Sequence, residues 1–322
     1  MKAAVLHAFG DIPRFEDFPD PVAKKEEVLI NVKAVPLENI DKLMSEGRHF
    51  ASKQFLSTLP AIVGFDGIGE LPNGQLVGFG GTTAPYGAMA EMTVVPKENT
   101  IPIPEGINAV IASALPASAL TSLFPLQWGA KIQPGETVLV NGATGVAGKL
   151  AVQIAKLLGA GRVIGTGRNL ESLKRIKELG ADDVIHLQNT EEQIQKAFKE
   201  KAENGYDIIL DFIWGKPTEI LIKTFIPEQI GYVGKNIRLI QIGEAAGNNI
   251  SLPAKALRNS GLEIIGASKG LTPEAMSEST NQVWKWIKEN KLTMDINEVP
   301  LKDIEKAWRK TDFKGERIVI IP

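Results

Sequence analysis

The sequence contains no cysteine, which excludes a disulfide framework, a thiolate nucleophile and any cysteine-ligated zinc site. Histidine is scarce too, with 3 residues, His7, His49 and His186, at no ligand-like spacing. His7 and His186 follow strand-like segments and read as ordinary surface or edge residues. No long block of one charge sign occurs, since 36 Lys and Arg stand against 38 Asp and Glu. That balance argues against a general phosphate-backbone binder or a polybasic membrane anchor, so the expected ligand is a small molecule and not nucleic acid. No stretch approaches the roughly 18 apolar residues of a membrane span. Residues 1–6 run into Phe9-Gly10-Asp11 too soon for a signal peptide, so a cytoplasmic location without a membrane partner is expected. The rest is ordinary for a globular protein: 43% apolar and 23% charged over 322 residues, enough for about two domains.

The first hundred residues are short apolar segments cut by turn residues. Residues 3–6, 28–35, 62–65, 75–78 and 92–96 read as antiparallel strands. A short helix over 40–46 and a polar loop over 48–57 interrupt them. From residue 109 the period changes: Ala112, Leu115, Ala119 and Leu123 recur at helical spacing, which places a domain boundary near residue 115. Strand and helix then alternate. The strands are 137–141, 162–166, 183–186, 208–211, 237–241 and 263–267; the helices are 146–158, 170–179, 191–204, 218–225 and 253–259. Such alternation predicts an α/β unit with right-handed crossovers and a six-stranded parallel sheet. Helices over 273–290 and 301–310 and a strand over 317–321 form a tail that returns to complete the first domain.

The strongest signal is Val138-Leu139-Val140-Asn141-Gly142-Ala143-Thr144-Gly145-Val146-Ala147-Gly148, an apolar strand running into three evenly spaced glycines and then a helix. Gly142 allows the tight turn, Gly145 lets a pyrophosphate approach the backbone, and Gly148 permits close helix-to-strand packing. The helix N-terminus offers unpaired N–H groups to the diphosphate. Turns of this kind also arise for steric reasons alone; the setting, at the first strand-to-helix junction of six, favours a dinucleotide. The second strand ends in Gly167-Arg168-Asn169, where an NAD-selective site carries Asp or Glu. Arg168 instead suits a 2′-phosphate, with Asn169 and Arg175 assisting, so the expected cofactor is NADP(H). The plainer alternative is an exposed loop arginine.

Further segments carry a family resemblance. They are Met1-Lys2-Ala3-Ala4-Val5, residues 59–69 with Gly64-Phe65-Asp66, Tyr86-Gly87-Ala88-Met89-Ala90-Glu91, Ala114-Leu115-Pro116-Ala117, Leu179-Gly180-Ala181-Asp182, Tyr206 to Asp211 and Gly315-Glu316-Arg317-Ile318-Val319. Together with the glycine turn they make the chain resemble the medium-chain dehydrogenase/reductase superfamily, in its zinc-free quinone oxidoreductase and enoyl reductase branch. The resemblance implies a GroES-like β-rich catalytic domain, 1–115 with 269–322, around a six-stranded parallel Rossmann NADP-binding domain, 116–268. Zinc-dependent relatives carry Gly-His-Glu where this chain has Gly64-Phe65-Asp66, and they add cysteine ligands, so no metal is expected.

The implied activity is hydride transfer from NADPH to a quinone or a small α,β-unsaturated carbonyl compound. A quinone needs little beyond orientation, whereas an enone also needs a proton. Three candidates for that acid follow from the resemblance. His49 lies at or beside a tyrosine that enoyl reductases carry just after the equivalent of Gly47. Tyr86 precedes the Gly87-Ala88 segment. Asp41 closes an element that reads Asn-Pro-x-Asp in relatives and departs from it here at Glu38 and Asn39. Thr121 and Gln241-Ile242-Gly243 are expected along the nicotinamide, and Phe50, Phe55, Phe65 and Trp214 in an apolar substrate pocket. A metal-free alcohol or aldehyde dehydrogenase, or an NADPH-binding sensor or structural protein with little turnover, stays open. A homodimer through the edge strand 263–267 is expected.

Overall fold

A computed structural model of the chain describes residues 1–203, 205–227, 234–311, 313 and 315–322. The chain divides into two compact units, Met1–Ala117 with Asp295–Pro322, and Ser118–Met294. In chain order the strands are β1 (Lys2–Leu6), β2 (Arg14–Asp17), β3 (Glu27–Leu37), β4 (Ala61–Ile62), β5 (Asp66–Glu70), β6 (Leu76–Gly80), β7 (Met92–Pro96) and β8 (Thr100–Pro102), then β9 (Thr137–Asn141), β10 (Arg162–Gly167), β11 (Asp183–His186), β12 (Ile208–Asp211), β13 (Ile237–Gln241) and β14 (Leu262–Gly266), and last β15 (Ile296–Pro300) and β16 (Arg317–Ile321). The helices are α1 (Asn39–Ser45), α2 (Ser52–Phe55), α3 (Ala109–Ala114), α4 (Pro116–Phe124), α5 (Val146–Leu157), α6 (Leu170–Glu178), α7 (Glu191–Ala202), α8 (Gly215–Lys223), α9 (Ala254–Ser260), α10 (Pro273–Lys288) and α11 (Ile304–Arg309).

The first unit is β-rich. Its larger sheet runs β15-β16-β3-β5-β6-β8, with β7 also on β3, and a smaller sheet runs β2-β1-β4. The long strand β3 pairs with β5, β7 and β16, so the chain end is built into the middle of this unit. Leu6, Ile30, Val35 and Met89 share one core with Ile304, Trp308, Ile318 and Ile320 from the tail. Full burial of each such side chain is worth about 1.5–3 kcal/mol, which is what holds the distant segments together. The strand expected over 62–65 is displaced: pairing is confined to Ala61–Ile62, and the longer strand is Asp66–Glu70. The cause is close approach. A Cβ on Gly69 would meet Ile30 Cγ2 at 2.3 Å, so this strand must carry glycine where β-branched residues usually announce one.

The second unit has the parallel sheet. Its order is β11-β10-β9-β12-β13-β14, the doubly wound arrangement in which the first strand lies centrally and ligands sit at the carboxyl ends. Ile164, Leu139, Ile209 and Leu239 stand side by side in register and are fully buried, as continuous apolar strands covered on both faces require.

Three expectations need correction. Residues 269–294 group with the parallel-sheet unit and not with the first domain. The anchors are Trp128, whose indole N–H donates to Ser279 Oγ at 3.0 Å, and Gln153, which donates to Thr293 O at 3.0 Å and accepts from Thr293 N–H at 2.9 Å. The run Ala109–Gly129 is long and apolar enough to cross a membrane by length and composition, and 61% of its most apolar window is buried inside the fold. Interspersed Ser, Thr and Gln hide it from a search for an unbroken apolar run. Finally, α7 ends at Ala202, and its expected last residue, Asn204, lies outside the described residues.

Candidate functional site

The glycine turn lies at the end of β9 in the second unit. Gly142 has φ +93°, a conformation that favours glycine. Its N–H donates to Thr166 Oγ1 at 2.9 Å, and that hydroxyl donates to Asn141 Oδ1 at 2.8 Å. Asn141 Nδ2 donates in turn to Asp211 Oδ1 at 3.2 Å, and Thr218 Oγ1 donates to Asp211 Oδ2 at 2.5 Å. Asp211 Oδ1 also accepts the N–H groups of Ile213 and Trp214. Burial pushes the Asp211 carboxyl above its usual range, and these donors oppose the shift. Sequence reading missed this network, although its signal was present: Asn141, Thr166 and Asp211 are polar residues at or near the ends of three otherwise apolar strands.

The three glycines differ in what demands them. A Cβ on Gly148 would lie 2.3 Å from Gly142 O, so close packing of α5 on the turn excludes any side chain. A Cβ on Gly145 would meet nothing nearer than 3.9 Å. Gly145 caps α5 with φ −77°, which any residue adopts; nothing inside the protein requires it to be small. The space over it is open to a ligand. Val146, Ala147 and Gly148 precede the first N–H to be satisfied across this turn, Lys149 N–H to Gly145 O at 2.9 Å, so the first turn of α5 presents donors outward.

Beside the turn, a Cβ on Gly167 would meet Thr144 Cγ2 at 2.3 Å, so the end of β10 is packed against it. Arg168 follows, exposed, and among the described residues no carboxylate pairs with it. Asn169 Oδ1 caps α6 by accepting Ser172 N–H at 2.9 Å, and Arg175 is engaged with Glu178 at 2.9 Å. His186 Nε2 lies 2.8 Å from the Arg168 carbonyl oxygen. At the end of β13, Ile242 and Gly243 donate to Asp211 O, and Gln241 Nε2 donates to Gly243 O at 3.2 Å. Gln241, Trp214 and Glu244 border a recess of about 460 Å³ with Ile264 and Ile265. Thr121 is exposed, but its hydroxyl turns back to donate to Ser118 O at 2.7 Å.

The first unit holds a second cluster. Asp41 Oδ2 accepts Glu38 N–H at 2.8 Å in a reciprocal capping box that starts α1. Asp41 Oδ1 is buried and has no hydrogen-bond partner among the described residues. Asp41 lines a cavity of about 20 Å³, water-sized, with Phe55, Phe65, Thr82 and Tyr86. Arg317 Nη2 pairs with Glu38 Oε1 at 2.9 Å. Burial, then the neighbouring Asp66 and Glu38 charges, push Asp41 well above the carboxylate range. Asp66 is pushed up to about 7 by burial and by Glu38, against the pull of Arg317. One guanidinium faces three carboxyl groups, and the neutral forms of Asp41 and Asp66 are favoured accordingly.

The other expected residues are placed differently. Tyr86 lines the cavity, but its hydroxyl donates outward to Asp20 O at 3.4 Å. His49 does not line it; His49 Nδ1 accepts Ala51 N–H at 3.2 Å and its ring lies against Phe50. Of the four aromatics expected in an apolar pocket, Phe55 and Phe65 meet at 5.9 Å, Phe50 is 96% exposed, and Trp214 belongs to the other unit. Among the described residues no group of three His, Cys, Asp or Glu is placed to hold a metal.

A parallel sheet of this order with an open glycine turn at its first strand defines a dinucleotide-binding dehydrogenase fold. The zinc-binding dehydrogenase family profile matches residues 147–289. A quinone oxidoreductase-like protein 2 homolog of Nematostella vectensis is 29% identical over 211 residues, 64% of this chain and 55% of that protein's length. Quinone oxidoreductase-like protein 2 of Bos taurus is 25% identical over 304 residues, 90% of this chain and 82% of its own. Among solved structures, the quinone oxidoreductase of Thermus thermophilus, also determined as its NADPH complex, superposes with TM-score 0.78 at 28% identity, covering 100% of both chains. The chain belongs to the medium-chain dehydrogenase/reductase superfamily, in its quinone oxidoreductase-like branch.

Gly145→Ala tests whether the open space is a ligand's. The variant is expected to keep wild-type stability to within about 0.5 kcal/mol while losing at least about tenfold in dinucleotide affinity by titration calorimetry. Unchanged affinity refutes the assignment. A second expectation concerns Asp66. Folded Asp66 keeps its proton up to about 7, above the ordinary 3.8, so its stabilising contribution is whole below the ordinary value and is lost as pH rises through 7. Asp66→Asn stays neutral throughout. Relative to wild type it should gain about 2–4 kcal/mol on going from about pH 4 to pH 8 in denaturant titrations. A difference that does not move with pH would show the carboxyl to be ionised in the fold.

Proposed function

We propose that this protein is an NADPH-dependent, metal-independent oxidoreductase that reduces quinones or small α,β-unsaturated carbonyl compounds. The observation that carries the reading is the pairing of the space over Gly145 with the guanidinium of Arg168 at the end of the next strand, a group that no carboxylate among the described residues pairs with. The NADPH complex of the Thermus thermophilus relative supports the choice of cofactor. NADPH when bound supplies the hydride; the protein supplies position and a proton.

The residues divide the work. The turn of Gly142, Ala143, Thr144, Gly145, Val146, Ala147 and Gly148 receives the diphosphate on the N–H groups of the first turn of α5, while the Gly142 and Ala143 N–H groups are held inside by Thr166. Gly167, Arg168 and Asn169 receive the 2′-phosphate, and a carboxylate at this position would repel it. Thr121, Gln241, Ile242 and Gly243 border the nicotinamide. Asp41 holds the proton. Burial pushes its carboxyl up, which favours the neutral form, and Asp41 lines a cavity of about 20 Å³. The proton leaves Oδ1 for an acceptor oxygen or a water, and the resulting carboxylate keeps the Glu38 N–H bond. Tyr86 and His49 are left as lining and turn residues, because the hydroxyl of one and Nδ1 of the other are already engaged. The absence of cysteine and the scattered histidines support a mechanism without zinc.

Reduced-nicotinamide consumption against a panel of quinones and enones, with NADPH and NADH compared, tests this. Acceptor-dependent turnover preferring NADPH is expected. Arg168→Ala should cut kcat/KM for NADPH about 10–100-fold and spare NADH. Asp41→Asn should slow enones about 100-fold and quinones much less. NADPH binding without turnover on any acceptor would leave a binding protein. We further propose a cytoplasmic homodimer joined through β14, which is an edge strand with Ile264 38% exposed. A monomeric mass at micromolar concentration would exclude the dimer.

A further inference from the structure

We infer that His186 is a positioning residue for the 2′-phosphate site: by anchoring the Arg168 main chain from the next strand, it sets the preference for NADPH over NADH. The inference rests on the NADPH reading above. It starts from register. Strands β10 and β11 run parallel with Gly167 opposite His186, and the ladder ends when Leu187 N–H donates to Gly167 O at 2.8 Å. Arg168 lies one residue beyond. Its carbonyl has passed the end of the sheet, and His186 Nε2 at 2.8 Å takes the place of a further strand amide. A carbonyl oxygen only accepts, so Nε2 carries the hydrogen and the ring's tautomer is determined by this bond.

The segment is therefore held at three successive residues by three different devices. Gly167 is pressed on Thr144 of the glycine turn, Arg168 O is held by His186, and Asn169 Oδ1 is committed to the α6 cap. What remains free is the Arg168 side chain. A long guanidinium side chain binds a phosphate better when its backbone is already placed, because less freedom is lost on binding. Among the described residues no carboxylate pairs with the imidazole, and Asp183 of the same strand is bound to Arg162 at 2.6 Å and Lys201 at 2.7 Å. A ligand that lacks the 2′-phosphate makes no use of Arg168, so it should be indifferent to the anchor. That asymmetry separates positioning from general support of the fold.

The test uses the whole protein and two competitive probes, adenosine 2′,5′-bisphosphate and 5′-AMP, alongside KM for NADPH and NADH. His186→Ala is expected to raise the NADPH KM and the bisphosphate inhibition constant about three- to tenfold, the effect of one lost hydrogen bond. NADH, 5′-AMP and kcat should change less than about twofold. His186→Gln, whose side-chain N–H reaches to a similar distance, should recover most of the loss. In an Arg168→Ala background the His186→Ala effect should vanish, since it acts through Arg168. Equal losses for both nucleotides, or a full His186 effect without Arg168, would overturn the role. If the bisphosphate bound the wild type no better than 5′-AMP, the NADPH reading itself would fail, and this role with it.

Discussion

The hydrogen-bonded set of Asn141, Thr166, Asp211 and Thr218 is the constraint on which the nucleotide-binding half of this protein depends. Each member except Thr218 sits at or near the end of a parallel strand, and all four are fully buried. Buried polar groups of this kind are tolerated only when satisfied, and here each donor finds an acceptor among the others or in the main chain. The result is a crosslink between β9, β10 and β12 at the height where the chain turns into α5. A turn that must present backbone N–H groups to a ligand cannot also bond them internally, so its geometry has to be imposed from beneath. Thr166, holding Gly142 N–H, does this for the turn's first residue.

The first unit depends on a different imbalance. Glu38, Asp41 and Asp66 are brought together around Arg317, and burial disfavours the charged forms of Asp41 and Asp66. Arg317 pairs with Glu38, while burial pushes the Asp41 and Asp66 carboxyls up. An acid kept neutral in this way can donate at pH values where an exposed carboxyl is spent. The arrangement needs no imidazole and no phenol. His49 Nδ1 and the Tyr86 hydroxyl have partners of their own outside this cluster.

Periodicity made the parallel half legible almost residue by residue, since 137–141, 183–186, 208–211 and 237–241 coincide with the observed strands. Fully buried strands have no polar face to blur the signal. The first unit was harder. Strands β2 and β15 carry exposed charged residues, and β5 is built on glycines demanded by tight packing against β3, so neither propensity nor alternation announces them. The glycine turn and Arg168 were readable because motif spacing encodes them locally. Asp41 was readable only through resemblance, and the upward shift of its carboxyl was not, because it arises from burial and from the charge of Asp66, 25 residues on. His186 was read as ordinary because its role lies in a contact across strands.

Trp214 shows how far the buried network reaches. Its backbone, φ +53° and ψ −159°, lies at the margin of a region that glycine alone adopts freely, at a cost of about 1–3 kcal/mol. Two groups hold it there. Asp211 Oδ1 accepts its N–H, and Gly215, itself at φ +62°, is packed so closely that a Cβ would lie 2.5 Å from Ala246 O. The indole is thereby kept on the wall of the recess that Gln241 also borders, while its inner side packs on the core of the parallel sheet. One carboxylate, Asp211, thus orders both the turn after β9 and the loop after β12. Two surfaces at the carboxyl end of the same sheet are consequently tied to one residue that neither of them exposes.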